Sequence, residues 1–98
     1  MPSAKVLLNG KVIAESDKTI IIEGSHYFPP ESLSTEYFSE NDRHTTCHWK
    51  GVASYFDIAV DGKESDSAAW TYREPSRAAE RIKDYVAFYD HKVETIEG

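Results

Sequence analysis

Two dipeptides, Asn9-Gly10 and Asp61-Gly62, constrain this chain most strongly, because each stands between short runs of β-prone residues. Both members of such a pair tolerate the positive φ that a two-residue hairpin turn requires. Val6-Leu7-Leu8 is therefore expected to pair with Val12-Ile13-Ala14, and residues 52–60 with a returning strand over residues 68–72. Lys50-Gly51 marks another turn, where a strand over residues 45–49 meets residues 52–60. Period-two alternation in the latter puts Val52, Ser54, Phe56, Ile58 and Val60 on one side, and Trp70 and Tyr72 share a face of the returning strand.

Residues 19–28 are rich in β-branched and aromatic side chains, and an unbroken pleat would align Ile20, Ile22, Gly24, His26 and Phe28, with His26 pointing inward. A bulge at Gly24 would reverse that parity. Pro29-Pro30 ends the strand, since proline cannot donate to a ladder. Residues 31–43 are polar and turn-like, with a short helical or extended piece around residues 33–38. Pro75-Ser76 suits a helix start, with Ser76 as N-cap, so residues 76–83 are expected to form one short helix. Residues 85–89 are too β-prone to continue it and begin a final strand running toward Val93, with Glu97-Gly98 frayed. Six to eight short strands and one short helix make a mainly β single domain over residues 1–98, either two packed antiparallel sheets or a small distorted barrel.

A 98-residue chain buries a modest core, so its six Tyr, four Phe and two Trp must serve both the core and any site. Seventeen acidic against eleven basic residues leave a formal net charge of −6, and the basic residues are scattered, which disfavours nucleic acid as a partner. No apolar run is long enough to span a membrane, and the first residues lack the apolar stretch of a signal peptide. Cys47 is the single cysteine and cannot form an internal disulfide, so the cytoplasm is the expected location.

Reactive side chains concentrate in Arg43-His44-Thr45-Thr46-Cys47-His48-Trp49-Lys50-Gly51. Nearby cations favour a thiolate, which makes Cys47 the best candidate for a catalytic nucleophile. Strand alternation would nevertheless point Cys47 and Trp49 one way and His48 and Lys50 the other, so a base would have to come from His26 or His91. The plainer alternative for Cys47 is a small buried hydrophobe. No metal site is expected: one Cys and four His without paired spacing do not specify zinc. No cofactor is expected either, because phosphate-binding glycine loops and the Gly-x-Ser-x-Gly setting of a hydrolase serine are both missing. Trp70 and Tyr72, with Tyr27 and Phe28 from another strand, would make an aromatic floor, and Arg43 and Lys50 a cationic rim, for a flat or anionic ligand. Against this stands the simpler role of these rings as core.

The blocks Tyr27-Phe28-Pro29, Cys47-His48-Trp49-Lys50-Gly51, Ala69-Trp70-Thr71-Tyr72 with Pro75, and Val86-Ala87-Phe88-Tyr89 resemble a bacterial and fungal family called domain of unknown function four-two-seven. The resemblance covers nearly the whole chain. His48 departs from it, standing where proline is expected in that family. What it implies is a compact, mostly β domain whose motif residues converge. A nucleotidyltransferase-like label attached to the family does not transfer: Gly24-Ser25 is present, but Glu40-Asn41-Asp42 sits in a polar stretch and not between strand-forming apolar residues.

The function expected from these features is binding of a small anionic or flat ligand, with Tyr27, Arg43, Lys50, Trp70 and Tyr72 as contacts, between the 47–51 turn and the Trp70/Tyr72 strand. The alternatives are a catalytic domain using Cys47 or a histidine, and a protein-interaction module such as a homodimer that presents a strand edge or aromatic patch.

Overall fold

The computed structural model describes residues 3–98. Within them the chain forms nine strands: β1 Ala4–Leu8, β2 Lys11–Ser16, β3 Ile20–Ile22, β4 Ser25–Tyr27, β5 Phe38–Cys47, β6 Gly51–Val60, β7 Lys63–Thr71, β8 Val86–Phe88 and β9 Glu94–Glu97. They build three antiparallel sheets ordered β2-β1-β9, β3-β4 and β5-β6-β7-β8. The architecture is mainly β, as the turn chemistry implies, but the sheets number three and do not close into a barrel.

Hairpins form at both expected dipeptides, with φ of 53° and 78° at Asn9 and Gly10 and 49° and 87° at Asp61 and Gly62. A third hairpin of the same kind replaces the single strand expected over residues 19–28. Glu23 and Gly24 adopt φ of 55° and 81°, and Ile20 faces Tyr27 across the turn. Glutamate rarely takes this backbone conformation, which is why the turn escapes recognition from the sequence.

Residues 31–37 hold two short 3-10 turns, Pro30–Ser32 and Thr35–Tyr37, after which the polar segment from Phe38 becomes the ten-residue strand β5. That strand pairs β6 despite its polarity, because it is the sheet edge and most of its side chains meet water. An irregular stretch between Glu40 and His44 is pinned from the neighbouring strands: the Asn41 amide donates to Asp57 at 2.8 Å and to the Ser67 hydroxyl at 3.0 Å. The Asp57 carboxylate also accepts the Ser67 backbone N–H at 2.8 Å, where β7 bulges opposite β6.

The expected helix is a kinked 3-10 segment, Arg77–Ile82, with Ala79 outside helical geometry. A 3-10 turn stacks residues three apart on one side, and Ala79 and Ile82 are both fully buried there. Ser76 makes no side-chain cap; its hydroxyl donates to the Trp49 carbonyl and its backbone N–H to the Lys50 carbonyl at 2.9 Å. The end expected to fray is instead β9, which adds to β1, and Ser3 and Gly98 exchange backbone hydrogen bonds of 3.1 and 2.9 Å.

Alternation divides the four-stranded sheet into two unlike faces. On the inner face Ile58, Val60, Val86 and Phe88 pack with Val6, Leu8, Ile13 and Phe28 beneath the β2-β1-β9 sheet. All four phenylalanines lie in this core, with edge-to-face contacts such as Phe28 to Phe88 at 5.6 Å. The outer face holds Ala53, Tyr55, Tyr72 and Ala87, with Trp70, Tyr85, Tyr89 and Cys47 packed against them and the β3-β4 hairpin adding Ile22 and Tyr27. Five of the six tyrosines are here.

Candidate functional site

The outer aromatic face gathers the residues singled out from the sequence. Tyr27 from β4 is fully buried and accepts a hydrogen bond from the Trp70 indole N–H at 3.2 Å, the two rings meeting edge to face at 6.1 Å. Tyr72 follows β7 and lies 6.5 Å from Tyr27. Phe28 turns the other way, into the phenylalanine core, because adjacent residues on a strand point to opposite faces. The expected floor of Trp70, Tyr72, Tyr27 and Phe28 therefore loses Phe28.

Two tyrosines unassigned from the sequence complete the face. Tyr55 and Tyr89 have nearly parallel rings, 8° apart with centroids 6.4 Å from each other, and Tyr89 lies 4.6 Å from Trp70. The Tyr55 hydroxyl is within hydrogen-bond distance of the Thr45 hydroxyl at 2.9 Å and of the Tyr89 hydroxyl at 3.2 Å. Their signal lay in parity: Tyr55 falls opposite the apolar row from Val52 to Val60, and Tyr89 is in step with Ala87.

Cys47 ends β5 and is half-buried against this cluster. The strand stops there, and the Lys50 N–H bonds back to the Cys47 carbonyl at 3.2 Å, closing a tight turn. Alternation therefore does not extend to Trp49 and Lys50. Trp49 is swung outward, and the Lys50 ammonium comes round to the tyrosine side, 5.7 Å from the centre of the Tyr72 ring. Gly51 makes this path feasible. Its φ is +119°, and a Cβ there would stand 3.2 Å from the Glu74 carbonyl oxygen.

Lys50 is not the exposed rim cation that the sequence implies: only 6 % of its surface is accessible. Its ammonium donates to the Glu23 carboxylate, which also receives the Trp49 indole N–H at 3.4 Å. Burial opposes the Lys50 charge, yet the hydrogen bond to Glu23 and the neighbouring phenols outweigh it, and its pKa rises above the ordinary lysine value. Reciprocally, hydrogen bonding to Lys50 and its charge hold the Glu23 carboxyl below the usual range. This ion pair accounts for a glutamate at a left-handed turn position, where a strained backbone is retained for what the side chain does.

Arg43 remains exposed at the far side of the face, with its guanidinium 4.5 Å from the Tyr55 ring centre. Burial raises the Tyr72 pKa to about 12, and burial followed by the bond with Tyr55 does the same for Tyr89, so both phenols stay protonated donors at neutral pH.

The histidines have other surroundings. His26 is within 2.7 Å of the Thr19 hydroxyl through Nδ1 and 2.6 Å of Glu97 through Nε2, so both ring nitrogens are engaged and β4 is tied to β9. With Val6, Phe28, Phe88 and Glu94 it lines a groove of about 460 Å3 that lies over the phenylalanine core and not the aromatic face. His91 packs 5.6 Å from Tyr89. Two further concavities, of about 530 and 440 Å3, are likewise lined by residues other than Cys47, Lys50, Trp70 and Tyr72. No group of three His, Cys, Asp or Glu among the described residues is arranged to hold a metal. Glu40 pairs with Arg73 and Asn41 with Asp57, so neither side chain of this polar stretch is free.

A family model matching nearly the whole chain decides the family. The chain belongs to the family described as Domain of unknown function (DUF427), which matches residues 2–98. No curated protein matches it in sequence. Within this DUF427 domain no helix among the described residues is long and apolar enough to cross a membrane.

Proposed function

We propose that this DUF427 domain is a cytoplasmic binding module for a small flat, anionic ligand, held on the outer face between the 47–51 turn and β7. Carrying the proposal is the meeting of Tyr27, Trp70 and Tyr72 with the buried Lys50 ammonium, while Arg43 stands exposed beside Tyr55. A half-buried aromatic surface stacks a planar ring, and a cation set in low dielectric attracts an anion more strongly than one in water. Trp70 and Tyr89 are the natural stacking surface, because both are partly accessible and their centroids are 4.6 Å apart.

Thermal-shift screening of nucleotides, aromatic acids and phosphorylated metabolites tests this, since a ligand that binds only the folded state raises the melting temperature. A hit must also perturb the NMR signals of the Trp70 indole and Tyr89 ring. Hits that leave both unmoved, or a screen with none, refute the assignment.

A second reading, catalysis through Cys47, is favoured by one feature: the turn carries the Lys50 ammonium to the Cys47 side of the sheet. Alkylation by iodoacetamide at neutral pH decides it. A reactive thiol is modified in the native domain, whereas a packing cysteine waits for denaturant.

A further inference from the structure

Tyr72 differs from the other two fully packed tyrosines of the outer face. It is 5 % exposed, yet no described residue hydrogen-bonds its hydroxyl, whereas Tyr27 is bonded by Trp70 and Tyr55 by Thr45 and Tyr89. Among the described residues no side-chain oxygen or nitrogen is both wholly shielded and unpartnered, so this hydroxyl oxygen keeps a small opening to the outside. Lys50, Tyr27, Cys47 and Tyr55 are ionisable side chains close enough to act on it electrostatically. A phenol that reaches the surface through so small an opening, with no protein partner, has its donor available to an incoming acceptor.

Lys50 is in a comparable state. An ammonium carries three N–H donors, and Glu23 occupies only part of that capacity. Two nearly buried donors with spare capacity thus belong to neighbouring side chains, the Lys50 ammonium lying 5.7 Å from the centre of the Tyr72 ring, just beyond the strand that carries Trp70.

We infer that Lys50 and Tyr72 form a carboxylate subsite, in which one carboxylate of a small aromatic acid accepts hydrogen bonds from the Tyr72 hydroxyl and the Lys50 ammonium while its ring lies on Trp70. This rests on the ligand-binding reading above and adds the chemical class of the ligand. Charge selects a monoanion: Lys50 and Glu23 together sum to zero, so a carboxylate leaves one negative charge in the subsite, whereas a phosphate dianion would leave two beside the Glu23 carboxylate. Period-two geometry separates Trp70 and Tyr72 by about 7 Å along β7, a span suited to a ring joined to a carboxylate by a short link.

The probes are phenylacetate, its neutral analogue phenylacetamide, and phenyl phosphate, titrated by NMR into the intact chain and into the Tyr72→Phe and Lys50→Met variants. Phenylacetate is expected to bind at Trp70 at least tenfold more tightly than the other two probes. Either substitution should remove that preference, and Tyr72→Phe should melt with the wild type because its hydroxyl has no protein partner. Equal binding of the three probes at Trp70, or a preference for phenylacetate that survives Tyr72→Phe, overturns the carboxylate subsite while leaving an aromatic-ligand face intact. No response at Trp70 to any probe overturns both. A Tyr72→Phe variant that melts well below wild type also overturns the subsite, since the hydroxyl must then be bonded already in the free domain.

Discussion

The two faces of the β5-β6-β7-β8 sheet are made by the same strands but set different problems for their side chains. The inner face takes all four phenylalanines with aliphatic partners, groups that can be closed away with nothing left to satisfy. The outer face takes five tyrosines, Trp70, Lys50 and Cys47, and each polar end must find a partner or reach an opening. Stability can be concentrated in the first face. The second instead gathers polar donors, held in fixed positions by surrounding rings.

Substitutions should separate the faces. The largest effect is expected from Phe28→Ala, which empties a fully buried ring site of the inner core and should lower unfolding free energy by about 3–5 kcal/mol in urea titration. Trp70→Ala, at a half-buried position, should cost less, and an equal loss would erase the distinction between the faces. Next comes Gly51→Ala, which combines a positive φ with a crowded Cβ and should cost about 1–3 kcal/mol. Gly62→Ala shares the positive φ but meets nothing within 4 Å, so it should cost less than Gly51→Ala. Within the outer face, Tyr55→Phe should lose about 1 kcal/mol with its hydrogen bonds to Thr45 and Tyr89.

The last effect shows only in alkali and leaves neutral pH untouched. The Tyr72 and Tyr89 phenols ionise at about 12 when folded, against an ordinary value of 10.0. Above pH 10 the unfolded chain therefore releases these protons first. Their stabilising contribution is whole below that pH and is lost as the pH rises through about 12. Ultraviolet titration of the native domain should show late-ionising phenols, and replacing Tyr72 or Tyr89 with Phe should remove one each. Late phenols that persist in both variants would mean that the outer face does not shield them.

Much of the β architecture was legible because its signals are local. Asn9-Gly10 and Asp61-Gly62 name their hairpins through positive φ alone, and the alternation in residues 52–60 and 70–72 assigns faces without knowledge of any partner strand. The Glu23-Gly24 hairpin was hidden because its first residue is selected by Lys50, twenty-seven positions away. Strand β5 was hidden too: an edge strand with a largely solvated surface has no hydrophobic period to display. The 3-10 segment at Arg77–Ile82 has helix-forming residues, but burying Ala79 and Ile82 together overrode their propensity.

On the outer face, Trp70 and Tyr72 were recognisable by type and parity and Tyr27 by type, although adjacent Phe28 turned the other way. Tyr55 and Tyr89 carried the same parity signal, each in a row opposite the more obvious apolar one. The direction of Lys50 was not recoverable, since it depends on where β5 stops and on Ser76 and Glu74 closing over the turn.

Local stereochemistry, then, was enough to determine that this chain turns often and forms short antiparallel strands. Only the tertiary structure decided that Lys50 is buried and paired, that Tyr72 keeps an unused hydroxyl, and that the C-terminal strand closes on the N-terminal one. The reason is physical: turn and strand preferences act between neighbours along the chain, whereas burial, ion pairing and hydrogen-bond satisfaction depend on groups that distant segments bring within a few ångströms.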